Sequence, residues 1–256
     1  MNIQTSSMAS HLKQKIVHHL SVTRPQKILF DHLPKCGGST LNSYLEAHYL
    51  RRHIFSTDGL NPTESVKIFK SFTEQKRHGY SLVKGHLSHD LIDFADPTCL
   101  KVTVLRDPVK RIISHYFYAR ENPDHYLYAN IHNSEMGLEE YVSSNLSDEL
   151  RNWYTTHFSG LPLDVVEKYP EESMAQAAEV LLKRYDIIGF LDNFALFIEN
   201  LRKRANLRYE YNDDNRVNVT KNKPCIEDIP KSAIAKIESM NHLDIALYQK
   251  IKSAIG

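Results

Sequence analysis

The stretch KILFDHLPKCGGST at residues 27–40 decides how the rest of the chain is interpreted. It opens with Lys27–Leu33, an apolar run that is typical of a buried strand and that leads into a proline- and glycine-rich turn. Ser39–Leu50 follows, and its apolar residues recur at helical spacing, namely Leu41, Tyr44, Leu45 and Tyr49. The stretch therefore predicts a strand, a tight turn and a helix in succession.

Outward from this unit, strand and helix patterns alternate. The further predicted strands are short runs at residues 52–56, 80–84, 100–105 and 186–190. Predicted helices lie between and after them, at residues 62–77, 108–120, 192–205, 228–238 and 239–253. This order predicts an α/β fold with a central parallel sheet flanked by helices and a helical C-terminal part. We expect an N-terminal arm over residues 1–26 and a single domain over residues 27–256.

Composition and charge exclude several classes of protein. Of the 256 residues, 41% are hydrophobic and 25% charged, which is ordinary for a globular domain and unlike a disordered or fibrous chain. Lys and Arg number 32 against 31 Asp and Glu, so the formal net charge is +1. The overall net charge therefore does not favour a nucleic acid or an anionic membrane as partner, and any anion site must depend on a local group of charges.

The cysteines and the N-terminal region indicate the compartment. Cys36, Cys99 and Cys225 are odd in number and far apart, which fits neither a disulfide framework nor a zinc pair and favours a reducing compartment. Residues 1–27 lack the apolar core of a signal peptide, and no run approaches the roughly 18 apolar residues of a membrane span. We therefore expect a soluble, cytoplasmic protein, and its oligomeric state stays open.

The turn after the first strand has the composition of an anion site. Gly37 and Gly38 allow the backbone to curl so that several N–H groups face one anion, and the following helix N-terminus adds partial positive charge. Lys35 adds a full charge, and the Ser39 and Thr40 hydroxyls add donors. A phosphate or a sulfate would fit. The alternative is a ligand-free strand-to-helix turn capped by Ser39.

Two further turns are expected at the same edge of the sheet. Gly85-His86 follows the third strand and Arg106 ends the fourth, and ligands of parallel α/β sheets bind outside the carboxyl ends of the strands. Arg106 and Ser114, two turns into the next helix, could bind one further anion. His115, beside Ser114, is expected to lie in solvent.

The first turn is not a Walker A loop, because Lys35 precedes the glycines rather than following them. No strong strand ending in a Walker B aspartate is visible either. These departures disfavour an ATP or GTP hydrolase. A P-loop nucleotide kinase or other phosphotransferase, and a non-catalytic nucleotide-binding module, remain the alternatives to the interpretation that follows.

PKCGGST at residues 34–40 and RDPVKRIISHYFY at residues 106–118 resemble the two cofactor signatures of sulfotransferases that use 3′-phosphoadenosine-5′-phosphosulfate (PAPS). The resemblance is to the carbohydrate branch that includes heparan sulfate 2-O-sulfotransferase, and it extends in short islands over residues 27–224. It implies a P-loop-like three-layer fold, PAPS as donor, adenosine 3′,5′-bisphosphate (PAP) as product, and no metal. The absence of a visible anchor makes a soluble bacterial-type member the natural expectation.

The resemblance also implies roles for individual residues. Lys35 and the turn residues Cys36, Gly37, Gly38, Ser39 and Thr40 would hold the 5′ end of the cofactor, and Arg106 and Ser114 its 3′-phosphate. The family usually has Thr or Ser at the position of Cys36, so a thiol would stand beside the cofactor here. Lys35 would also neutralise the oxygen of the breaking bond.

His86 matches the proposed catalytic base of the family, because VKGH at residues 83–86 matches a family Gly-His. An unperturbed imidazole pKa near 6.5 suits a base at neutral pH. His89 and His32 are rival candidates. The late loop RVNVTKNKP at residues 216–224 resembles a family loop over the nucleotide, in which Asn218, Thr220 and Lys221 would contact the adenosine or the 3′-phosphate; a solvated basic loop is the alternative.

The acceptor is expected to be a hydroxylated small molecule or a saccharide, and the sequence does not identify it. The segment NWYTTHFSG at residues 152–160 weakly resembles a family segment near the acceptor. Trp153, with Tyr154 and Phe158, could stack on a sugar ring, although a helix packing face is the favoured interpretation. An acidic saccharide would suit several basic side chains, for which solvated surface is the alternative: Arg51, Arg52, Lys110 and Arg120.

Overall fold

The computed structural model describes residues 24–212 and 224–255. Its centre is a sheet of five parallel strands in the order β2-β3-β1-β4-β5. The strands are β1 (Ile28–Asp31), β2 (Ile54–Ser56), β3 (Leu82–Gly85), β4 (Leu100–Leu105) and β5 (Ile187–Phe190). Each coincides with one predicted segment, so the predicted α/β fold with a parallel sheet is confirmed.

Twelve α-helices occur in the two described ranges. They are α1 (Gly38–Glu46), α2 (Pro62–Ser71), α3 (Glu74–His78), α4 (Pro108–Glu121), α5 (Tyr128–Asn133), α6 (Leu138–Ser143), α7 (Trp153–Ser159), α8 (Leu163–Lys168), α9 (Pro170–Arg184), α10 (Phe194–Ala205), α11 (Lys231–Met240) and α12 (His242–Ile255). Across these residues, no helix has the length and apolarity needed to cross a bilayer.

Strand β1 is buried on both faces, which explains its continuous apolar sequence. Ile28 and Phe30 pack on one side of the sheet with α1 and α10, whereas Leu29 packs on the other side with α2, α7, α9 and α12. Successive side chains of a strand point to opposite faces, so β1 contributes to both cores. The result is a three-layer arrangement of helices, sheet and helices.

A third apolar cluster lies away from the sheet and forms the helical part of the fold. The buried face of α4, including Ile112 and Ile113, packs against α5, α6 and α11. The start of α4 follows its sequence signals, because Pro108 occupies the first turn and the Asp107 carboxylate accepts the Lys110 N–H at 2.9 Å. This capping fixes the direction in which α4 leaves the sheet edge.

The predicted helix at residues 62–77 is interrupted. Helix α2 ends at Ser71, and α3 begins after Thr73, whose hydroxyl oxygen accepts the Lys76 N–H at 3.3 Å. The apolar spacing continues across this break because Phe72 packs in the same core as Phe69. The spacing therefore concealed the second helix start, which a threonine cap signals.

Candidate active site

A cavity of about 1250 Å³ lies at the carboxyl edge of the sheet. Its wall includes residues from all three predicted turns, which follow the neighbouring strands β1, β3 and β4: Lys35, Gly37, Gly38, Ser39, Thr40, His86, Arg106 and Ser114. Pockets for one small ligand usually measure about 300–1,000 Å³, so this cavity has room for two reactants. The predicted contacts of Asn218, Thr220 and Lys221 lie outside the described residues.

The turn after β1 adopts the curled backbone that the glycines predicted. Gly37 has a φ of 80° and Lys35 has a φ of 63°, so both are in the left-handed region. The helix α1 starts at Gly38, and its first hydrogen bond runs from the Leu41 N–H to the Gly37 carbonyl at 3.2 Å. The N–H groups before Leu41 precede that bond and form the positive end of the helix.

Gly38 is required because a histidine ring lies directly against it. A Cβ atom at this position would lie 1.7 Å from Cδ2 of His32, far inside van der Waals contact. The His32 ring stacks between Phe30, with centroids 5.7 Å apart, and His86, with centroids 4.6 Å apart. His32, a rival candidate for the base, therefore has a packing position and supports both the anion turn and His86.

Arg106 links the two predicted anion sites physically. Its guanidinium donates to the Lys35 carbonyl at 2.9 Å, which ties the end of β4 to the turn after β1. The Tyr154 hydroxyl accepts the Arg106 N–H at 3.1 Å and donates to the Arg106 carbonyl at 3.0 Å. Burial lowers the pKa of Arg106 from its usual value, so an anion in the cavity would stabilise this guanidinium.

The Cys36 thiol does not lie beside the predicted anion. Cys36 is buried in the core cluster under the turn, and its Sγ is 3.0 Å from the Tyr154 hydroxyl. Burial raises the pKa of this thiol, which favours the neutral form. The thiol donates to the Pro34 carbonyl at 3.4 Å and does not line the cavity, so it lies under the turn rather than on the side where the cofactor is expected.

Lys35 contacts an aromatic ring that the sequence analysis did not single out. Its Nζ lies 3.3 Å from the centroid of the Tyr118 ring, which is a close cation–π contact. Tyr118 lies four residues after Ser114 on α4, so both side chains share one helix face and both line the cavity. The spacing of four residues from Ser114 is the signal in the sequence that indicates Tyr118 as a further residue of the cavity.

The contacts of His86 fix which ring nitrogen is free to accept a proton. Its Nδ1 is 2.7 Å from the His32 carbonyl, and a carbonyl only accepts, so Nδ1 carries the hydrogen. In the neutral ring Nε2 then holds the lone pair. The backbone is fixed as well, because the His86 N–H donates to the Thr57 hydroxyl at 3.0 Å. The rival candidate His89 does not line the cavity, and its ring lies against Gly160.

The neutral His32 ring makes the stability of the protein sensitive to acid. Burial, with the charges of His86, Lys84 and Lys35, lowers the pKa of His32 to about 3. Between that value and 6.5 the unfolded chain binds the proton and the folded chain does not, so stability falls as the pH falls. The loss from this ring is about 2 kcal/mol between pH 6.5 and about pH 4.5.

We therefore predict that His32→Gln flattens the decline of melting temperature between pH 6.5 and about pH 4.5. Part of the decline should persist, because burial also lowers the pKa of His48 and of His125 to about 4. The matched control is His242→Gln, which removes an exposed imidazole. Thermal unfolding over this pH range checks the prediction, and identical curves for wild type and His32→Gln would contradict it.

A buried polar chain at the cavity wall is not indicated by any pattern in the sequence. His115 was expected in solvent but is buried, with Nδ1 2.7 Å from the Tyr141 hydroxyl and Nε2 2.9 Å from a Glu149 carboxylate oxygen. Glu149 itself lines the cavity. The prediction for His115 is wrong because its partners lie 26 and 34 residues away, so no local pattern indicates them.

The segment at residues 152–160 contributes one side chain to the cavity, and two of its other aromatic side chains pack in the core. Trp153 is half-buried and lines the cavity, and it stacks on His157 with centroids 4.8 Å apart. Tyr154 and Phe158 are buried in the core. The packing interpretation is therefore confirmed for these two residues, whereas Trp153 faces the cavity.

Comparison with known families identifies the class of protein. A model described as the Sulfotransferase family matches residues 18–250, which is most of the chain. The chain belongs to the sulfotransferase family. No curated protein matches its sequence. The matched region contains all three predicted turns that line the cavity of this sulfotransferase. Among residues 24–212 and 224–255, no group of three or more His, Cys, Asp or Glu is arranged to hold a metal ion.

Proposed function

We propose that this sulfotransferase moves the sulfuryl group from PAPS to a carbohydrate hydroxyl, with His86 as the general base. The observation that carries the proposal is the hydrogen bond from the Arg106 guanidinium to the Lys35 carbonyl. It joins two cationic turns on one cavity wall, at a fixed separation, as a donor with anionic groups at both ends requires.

The residues of the cavity fit such a donor. The glycine turn, the N-terminus of α1 and Lys35 would hold the 5′-phosphosulfate, and Arg106 and Ser114 would hold the 3′-phosphate. Asn218, Thr220 and Lys221 are proposed as further contacts. When bound, PAPS supplies a sulfuryl group on a phosphate leaving group.

His86 and Lys35 would then have separate roles in the transfer. His86 would accept the proton of the acceptor hydroxyl at Nε2, while its Nδ1–H keeps the ring oriented through the His32 carbonyl. Lys35 would leave the Tyr118 ring and stabilise negative charge at the anion turn. A cation–π contact contributes about 0.5–2 kcal/mol, so a charge-assisted hydrogen bond to phosphate can replace it.

The donor class can be tested by calorimetric titration with PAP, and separately with ATP and Mg²⁺. We expect micromolar binding of PAP without added metal, and no binding of ATP with or without Mg²⁺. Binding of ATP that depends on Mg²⁺ would contradict the proposal and favour a P-loop phosphotransferase. Binding of PAP without sulfuryl transfer to any acceptor would favour a nucleotide-binding module.

A further inference from the structure

Part of the cavity lining outside the two anion turns carries a fixed carboxylate. We define the acceptor wall as the cavity-lining residues Tyr118, His125, Tyr126, Glu149 and Trp153. Three of its aromatic members are contiguous, because the His125 ring lies 5.6 Å from Tyr118 and 4.7 Å from Tyr126 between centroids. Glu149 is the one acidic member of this wall.

Glu149 is held rigidly by contacts to its backbone and its side chain. Its N–H donates to the Ser147 hydroxyl at 3.2 Å, and its carbonyl accepts from the buried Arg111 guanidinium at 2.8 Å. The His115 Nε2–H donates to its carboxylate, and the Nδ1 of His115 is hydrogen-bonded to the Tyr141 hydroxyl. Such a chain of buried partners is typical of a preorganised binding group rather than of a surface carboxylate.

The carboxylate of Glu149 stays ionised at any physiological pH. Burial acts to raise its pKa, but the hydrogen bond from His115 and the charges of His115, Arg111 and His86 outweigh that effect and lower the pKa to about 2. Glu149 and His86 line the same cavity. An acceptor bound against His86 would therefore share the cavity with this negative charge.

One cation, Lys35, lies over the Tyr118 ring of the acceptor wall, and the proposed function assigns it to the donor. The other charges of the cavity lining, outside the anion turns, do not favour an anionic acceptor. Asp58 and Asp124 also line the cavity, and the lining Lys70 is already paired with Asp90 at 2.6 Å. The basic side chains that would have suited an acidic saccharide are absent from the cavity lining: Arg51, Arg52, Lys110 and Arg120. Lys67 lines the cavity, but it is largely exposed and lies 3.6 Å from Glu64.

From this arrangement we infer that Glu149 selects the acceptor, and that the acceptor class is an uncharged or amino-bearing sugar rather than a uronic or sulfated one. A carboxylate accepts hydrogen bonds from hydroxyl or ammonium groups and repels another carboxylate. The aromatic members of the acceptor wall offer a stacking surface for the same ring. The inference rests on the proposed function, because it concerns the acceptor of that reaction.

The test uses three 4-nitrophenyl glycosides that differ in charge: the β-glucoside, the β-glucosaminide and the β-glucuronide. Their binding to the wild-type protein saturated with PAP is measured by saturation-transfer NMR titration. We expect the glucuronide to bind at least about tenfold more weakly than the other two, since a like-charge contact of this kind costs well over 1.4 kcal/mol. Equal or tighter binding of the glucuronide, or binding of none of the three, would overturn the inference.

Variants at Glu149 separate charge from shape. Glu149→Gln keeps the shape and should bring the glucoside and glucuronide affinities within about threefold of each other, whereas Glu149→Asp keeps the charge and should retain discrimination. Glu140→Gln is the matched control, because Glu140 is exposed and does not line the cavity. Unchanged discrimination in Glu149→Gln would contradict the inference.

The PAP titration distinguishes this inference from the proposed function. A wild-type protein that does not bind PAP refutes the proposed donor, whatever the glycosides do. A wild-type protein that binds PAP but does not discriminate among the glycosides refutes the role of Glu149 alone. Glu149→Gln should bind PAP as tightly as wild type or slightly more tightly, which also shows that the variant is folded.

Discussion

His86→Asn is expected to lower kcat for sulfuryl transfer by about 10²–10⁴, with the Kd for PAP changed by less than about threefold. The asparagine amide can still donate to the His32 carbonyl, as the His86 Nδ1–H does over 2.7 Å. It offers no group at the position of Nε2. The substitution therefore removes the proton acceptor while keeping the contact that orders the loop after β3.

A matched control for His86→Asn is His89→Asn, three residues away and outside the cavity lining. That variant should retain transfer within a fewfold of wild type. Calorimetry gives the PAP affinity of each variant, and transfer of labelled sulfate gives the rate. Full transfer by His86→Asn would show that another group accepts the proton, and a parallel loss of PAP binding would show that His86 serves the donor site instead.

Arg106→Ala should weaken PAP binding by about 10²–10³. One loss is the charge-assisted, forked contact to the phosphate, and another is the hydrogen bond to the Lys35 carbonyl, which leaves the anion turn untethered. The PAP affinity of Arg106→Lys should fall between those of wild type and Arg106→Ala, because lysine restores the charge without the planar fork. Titration with PAP at constant salt measures all three proteins.

Lys110→Ala is the control for Arg106→Ala. Lys110 lies four residues after Arg106, near the start of α4, and is outside the cavity lining. It should bind PAP as wild type does. Thermal unfolding shows whether Arg106→Ala remains folded, so that weak binding is not mistaken for loss of structure. A Kd for PAP within about threefold of wild type in folded Arg106→Ala would remove Arg106 from the donor site.

Much of the fold could be predicted because its strands are buried and short. Runs such as LKVTVL at residues 100–105 combine β-branched residues with clear boundaries, and each predicted strand is present in the sheet. The boundaries of helices are harder to predict from apolar spacing than those of the strands. The break after Ser71 depends on the Thr73 cap, which a continuous apolar spacing concealed.

The composition of the site could be predicted, but not its side-chain directions. Glycines beside a lysine at a strand end indicated an anion turn. The core position of the Cys36 thiol, however, depends on Tyr154, 118 residues away. Glu149 was missed for the same reason, because its link to His115 is a contact between distant segments. Such contacts leave no local pattern in a single sequence.

The most direct test of the account is transfer itself. Wild-type protein and His86→Asn are incubated with PAPS that carries a labelled sulfuryl group and with the three glycosides of different charge. The account predicts a labelled sulfate ester and an equal amount of PAP from wild type, and formation of both at least about a hundredfold slower with His86→Asn. A folded wild-type protein that binds PAP yet forms no sulfate ester, or that forms it equally fast without His86, would contradict the account.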